Sequence, residues 1–133
     1  MMKTKKNMNL SRLFVLHAVI TFIAGVVLIV APELIPGAVG ITIDPSIYLV
    51  CYLLGASEIA IAFLSYYAKN LTDPSALRLI ALTFVVFHAT TAIVEVFAFM
   101  QGVSAAIWSN VALRVAAAAL FGYYGLRQSS KVK

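Results

Sequence analysis

The chain has 133 residues, 62% hydrophobic and only 11% charged, with a net charge of +5 and a mean hydropathy of +0.98. A soluble domain carries roughly a quarter charged residues, because something polar must face water. Less than half of that proportion excludes a soluble enzyme, a nucleic-acid module and a disordered tail.

The first predicted element follows a basic leader, Lys3, Lys5 and Lys6, and runs from Leu13 to Ala31. It has the look of a signal peptide, but it is longer than a usual apolar signal core, and Val30-Ala31-Pro32-Glu33 offers no small-x-small cleavage site. It reads as a retained first span. Asn9 or Ser11 is the expected cap. Three further apolar stretches follow: Ile47 to Tyr67, Leu77 to Met100, and Ala105 to Leu126. Each is near the roughly 20 residues that a helix needs to cross about 30 Å of hydrocarbon. None alternates in polarity, as a barrel strand would.

Boundary chemistry agrees. Asp44-Pro45-Ser46 and Asp73-Pro74-Ser75 each put an Asp cap before a Pro at the first helical position, where the missing N–H costs nothing. Ser104 is placed to cap the last span. All four prolines, Pro32, Pro36, Pro45 and Pro74, fall outside the spans. The predicted fold is an all-α integral membrane four-helix bundle, one transmembrane domain over residues 1–133 with both termini cytoplasmic.

That orientation comes from the basic residues. Nine of the ten lie before the first span, around the middle loop (Lys69, Arg78) or after the last span (Arg127, Lys131, Lys133), all on one side if the spans number four. By the positive-inside rule that side is cytoplasmic, as expected in a prokaryotic inner membrane. Tyr66/Tyr67 and Tyr123/Tyr124 fall at the inner interface, and Tyr48 and Trp108 near the outer one. The basic excess is thus a topology signal with a contact to anionic lipid, not a nucleic-acid footprint.

The tenth basic residue, Arg114, lies in the middle of the last span. Glu58 is central in the second span, and the third carries His88 at its centre and Glu95 further out. A charge at mid-membrane costs about 2.5–3.5 kcal/mol on the insertion scale, so such groups must face one another inside the bundle. Helical spacing permits it. Phe84, His88, Thr91 and Glu95 share a face, as do Asn110, Arg114, Ala118 and Phe121; Cys51, Gly55, Glu58, Ala62 and Ser65; and His17, Thr21, Ala24 and Leu28.

The third and fourth spans run in opposite directions, and side chains lean towards their own helix N-terminus. Glu95 and Arg114 therefore converge, with Asn110 alongside and with Glu58 and His88 nearer the midplane. Two carboxylates and one guanidinium leave one negative charge, which a desolvated site must neutralise with a proton on a carboxyl or on His88, or with a cationic ligand. With Arg114 committed to Glu95, Glu58 is the expected proton carrier.

Two readings of this group stand side by side. Glu58, His88, Glu95, Asn110 and Arg114 form a site for a proton, a polar lipid head or a small ligand, with Glu58 and His88 as candidate acid and base; or they are interhelical glue fixing register. His17, alone and nearer the cytoplasm, reads as a hydrogen-bonded packing residue. Cys51 reads as inert filling. No pair has the ligand spacing of a diiron bundle, so no metal is expected, and no motif calls for a cofactor.

The chain resembles the DoxX-like small membrane proteins, in particular their four-span, uncharacterised bacterial branch. The likeness rests on Ala31-Pro32-Glu33 at the end of the first span, Pro36-Gly37, Gly40-Ile41 before Asp44-Pro45, Gly55 to Glu58, and the short basic middle loop. It implies a four-helix membrane bundle with no assigned activity. Some members are associated with quinone-linked sulfur oxidation, but no residue here carries that chemistry over.

Three functions are weighed. The favoured one is a binding or accessory protein that holds a lipid-like or quinone-like ligand over the polar cluster, with membrane lipids as its other partners. The second is a membrane-embedded enzyme using Glu and His on an apolar substrate. The third is a proton or ion pathway, which requires a homo-oligomer.

Overall fold

The computed structural model describes residues 8–127, which are helical apart from short connections, with no strand among them. Helix α1 spans Met8–Val30 and α2 Leu34–Ala38; a 3-10 turn at Pro45–Ile47 leads into α3, Tyr48–Ala68; α4 is Pro74–Met100 and α5 Ile107–Arg127. At 1.5 Å per residue, the four long helices measure about 32–40 Å. Three stretches are long and apolar enough to cross a membrane: Asn9–Val30, Pro45–Ala68 and Pro74–Met100. Helix α5 falls short of that apolarity, because it carries Ser109, Asn110, Arg114 and the tyrosine pair.

The ends follow local chemistry. Asp73 accepts from the Ser75 and Ala76 amides at 3.0 and 3.3 Å, so α4 starts at Pro74, three residues earlier than hydropathy suggests. Asp44 accepts from the Ser46 amide at 2.8 Å and caps the 3-10 turn, leaving α3 to start at Tyr48. Ser104 accepts from the Ala106 amide at 3.3 Å, and regular helix follows from Ile107.

Helix α1 corrects two expectations. It already includes Met8, so Asn9 and Ser11 lie inside the helix and cap nothing. Leu10 and Phe14 are buried against Ala68, Leu77 and Ala81, and this packing keeps the polar first turns helical. The Ser11 hydroxyl instead donates to the Lys69 carbonyl at 3.4 Å, serving one of the carbonyls that the end of α3 leaves open.

The long helices pack as two antiparallel pairs, α1 with α3 and α4 with α5. Small residues allow each close approach: Gly25 against Gly55 in the first pair, Gly125 against Ala81 in the second. Larger side chains join the pairs. Phe14, Phe84 and Phe121, all at most 2% exposed, contact one another with ring centroids 5.1–6.2 Å apart. The outer surface is apolar, unlike that of a soluble protein, and polar groups join the apolar core. His17, Thr21, Glu58, Ser65 and His88 are buried, while leucines, valines, isoleucines and phenylalanines cover the outside.

Candidate functional site

The site begins at the aromatic triad. Phe14 of α1 faces Phe84 of α4, which sets the register between these two parallel helices. One turn further along each, His17 meets His88 with their Nε2 atoms 3.0 Å apart. His17 is hydrogen-bonded and packed as expected, but it is not alone. Its Nδ1 lies 3.0 Å from Ser65 Oγ on α3, and the Ser65 hydroxyl donates to the Phe14 carbonyl at 2.9 Å. Four residues from three helices form one buried chain of hydrogen bonds. His17 packs against Phe84 and Phe121, and His88 stacks parallel to Phe121.

A second polar group spans α4 and α5. Arg114 Nε lies 3.7 Å from Glu95 Oε1, an ion pair too long for a hydrogen bond, and Asn110 Nδ2 donates to the same oxygen. The guanidinium also sits over the Phe87 ring, 5.6 Å from its centroid. Thr91, on the same face of α4, donates back to the Phe87 carbonyl at 2.6 Å and is satisfied within its own helix. Glu95 Oε2, Arg114 Nε and His88 Nδ1 are buried without a hydrogen-bond partner among the described residues.

Between α1 and α5, which approach less closely than the paired helices do, lies a cleft of about 190 Å³. His17, Thr21 and Ala24 line it from α1, and Asn110, Arg114 and Ala117 from α5; Glu58 and His88 reach it from α3 and α4. Leu16, Ile20, Leu113 and Leu120 also border it, and all four are more than two-fifths exposed on the outer surface. The cleft therefore opens sideways, through an apolar mouth. Glu58 is 5% exposed and receives no hydrogen bond from any described residue, and the charge of Arg114 acts on its carboxyl.

Of the residues singled out in the sequence, Glu58, His88, Asn110 and Arg114 line this cleft. Glu95 does not; it stands behind Arg114 and Asn110 and fixes both. Ser65 enters through its bond to His17; the small-residue face it shares on its helix identifies no partner on α1. Among the described residues, no three His, Cys, Asp or Glu side chains are grouped to hold a metal ion. No protein-family model, curated protein or solved structure matches this chain, so a functional reading starts from the cleft itself.

Proposed function

We propose that the chain is a four-helix integral protein of a prokaryotic cytoplasmic membrane, of the kind the DoxX-like resemblance implies, that binds a lipid-like or quinone-like molecule in the cleft between α1 and α5. Helix α5 is taken as the fourth crossing because its polar residues Asn110 and Arg114 turn inward, while Leu113, Val115 and Leu120 face outward. A cytoplasmic location of both termini is supported by the basic residues and by two cation–aromatic contacts at that end. Lys69 Nζ sits 3.3 Å from the Tyr66 ring centroid, and the Arg127 guanidinium 4.7 Å from that of Tyr123.

The observation that carries the reading is the combination of an apolar lateral mouth with a buried carboxyl inside it, Glu58, that receives no hydrogen bond from any described residue. A molecule dissolved in the acyl region enters without crossing a polar surface, and its polar end meets Glu58, Arg114 and Asn110. Such a site fits an apolar body with a small polar head.

The runner-up, a membrane-embedded acid–base enzyme, draws on the His17–His88 hydrogen bond, which gives His88 a neighbour able to share a proton. A pathway for protons or ions through one copy is disfavoured, because Phe14, Phe84 and Phe121 close the bundle on the cytoplasmic side of His17.

The test is extraction of the purified protein, followed by mass spectrometry of the co-purifying lipids. Ala117→Phe places a ring in the cleft. The reading expects an enriched apolar species that Ala117→Phe loses while the variant still folds. Identical lipid profiles for the two proteins would overturn it.

A further inference from the structure

The hydrogen-bond chain from Phe14 to His88 contains three close contacts and must place one proton in each. The Phe14 carbonyl can only accept, so the single Ser65 hydroxyl proton is directed there across 2.9 Å. The Ser65 oxygen must then accept from His17, which puts a proton on His17 Nδ1. In a neutral ring, that leaves His17 Nε2 as an acceptor, so the proton across the 3.0 Å contact belongs to His88 Nε2. Any other assignment for neutral rings leaves two acceptors facing each other at about 3 Å, or two donors. By the same count, His88 Nδ1 carries a lone pair. That atom is buried and without a partner among the described residues, on a residue that lines the cleft and is only 4% exposed.

We infer that His88 Nδ1 is held by His17 and Ser65 as a hydrogen-bond acceptor for a hydroxyl on the bound molecule, so the ligand class is a hydroxyl-bearing apolar molecule with a head about the size of one ring. The inference rests on the cleft being a ligand site and specifies which end of which molecule it takes. Size supports a single ring: a cavity of about 150 Å³ in a protein core accommodates benzene, and this cleft measures about 190 Å³. Chemistry supports the hydroxyl. A carbonyl or ether oxygen brings no proton and would oppose the His88 lone pair, whereas an O–H satisfies it. The hydroxyl oxygen keeps its own lone pairs for a donor such as Arg114, whose guanidinium borders the same cleft.

The experiment uses the full chain in lipid nanodiscs with isotope-labelled histidine, read by nitrogen NMR. The probes are a long-chain alkylphenol and its methyl ether. The expected result is His17 protonated at Nδ1 and His88 at Nε2. The phenol moves the His88 Nδ1 resonance as that nitrogen accepts, the ether does not, and the phenol binds about tenfold or more tightly, as one hydrogen bond to a buried group allows. His88→Phe should bring the two affinities together without abolishing either.

A His88 protonated at Nδ1, or equal affinities in the unsubstituted protein, would overturn the hydroxyl assignment while leaving the cleft as a binding site. Failure of both probes to bind, or equal binding to Ala117→Phe, would remove the binding site and the assignment with it. The tautomer measurement needs no variant, so misfolding of His88→Phe does not protect the inference.

Discussion

Gly25 and Gly55 meet backbone to backbone. A Cβ on Gly25 would lie 2.8 Å from the Gly55 carbonyl oxygen, and one on Gly55 would lie 2.7 Å from the carbonyl oxygen of Gly25. In lipid, helices gain little from burying apolar surface against each other, so close packing of this kind is a main source of their cohesion. The approach also positions the site, since Glu58 follows Gly55 by one turn of α3.

Replacing either glycine must push α1 and α3 apart. Gly55→Ala is expected to destabilise the protein by about 1–3 kcal/mol, the usual range for overpacking a tight contact. Gly122 is the internal control: an added Cβ meets nothing nearer than Val85 Cγ2 at 3.8 Å. Gly122→Ala should be neutral, or stabilising by about 0.5–1 kcal/mol through helix propensity. Equilibrium unfolding in mixed micelles compares the two. Equal stabilities would show that the contact at Gly25 is not tight.

The pairing of Arg114 with Glu95 makes a second prediction. Arg114→Leu alone leaves an unpaired carboxylate in a largely buried position and should cost about 3 kcal/mol, at the lower end for a broken buried pair because both groups retain some exposure. Adding Glu95→Gln removes the stranded charge, and the Gln side chain still accepts from Asn110. The double variant should recover most of the loss, with a coupling of about 0.5–3 kcal/mol. Strictly additive effects on folded yield would deny the ion pair any energetic role.

Much of this arrangement was legible in the chain, and the gap has a physical cause. Asp73 and Pro74 fix the start of α4 by local hydrogen bonding, which sequence spacing reports directly. The convergence of Glu95 and Arg114 also follows from local rules, because they lie on consecutive antiparallel helices joined by a short loop. His17 and His88 lie on helices that are not consecutive, so their relative depth depends on how far each helix extends past the bundle. Counted from the first apolar residue, His17 appears nearer the cytoplasm. Packing of Leu10 and Phe14 extends α1 downwards, the Asp73 cap extends α4 further still, and the two histidines come level. Counting α1 from Met8 rather than Leu13 narrows the difference in depth; the contact of Phe14 with Phe84 that sets the register is tertiary.

Asp44 gives the pH prediction outside the spans. The Ser46 backbone amide, and to a smaller extent its side chain, hold the Asp44 carboxyl below the ordinary carboxylate range. A carboxylate depressed in the folded protein stabilises the fold above its unfolded pKa, and that contribution disappears as pH falls through the folded value. The turn at Pro45–Ile47 should therefore loosen only in acid below the normal carboxylate range. The Ser46 amide resonance is expected to titrate there in the unsubstituted protein and to stay flat in Asp44→Asn. A midpoint at or above the ordinary carboxylate value would contradict the cap.

Phe121 carries the last prediction, because it is where α5 touches both partners of the aromatic triad. It is 1% exposed, with ring centroids 5.6 Å from Phe14, 5.1 Å from Phe84 and 5.1 Å from His17. Phe121→Ala removes these contacts and the stack on His88, and opens a hole directly against the histidine pair, at a cost of about 3–5 kcal/mol. Leu120 is the comparison: the neighbouring residue is 43% exposed on the outer surface, so Leu120→Ala removes few packing contacts and should cost far less. The two variants should also differ chemically. In the unsubstituted protein the imidazoles of His17 and His88 are 7% and 4% exposed and should resist diethylpyrocarbonate. Phe121→Ala should expose them to the reagent from the end of the bundle that holds Phe14, and Leu120→Ala should not. If the histidines stay unreactive in Phe121→Ala although its stability falls, the triad is a packing element only, and the closure that shields the histidines at that end lies elsewhere in the bundle.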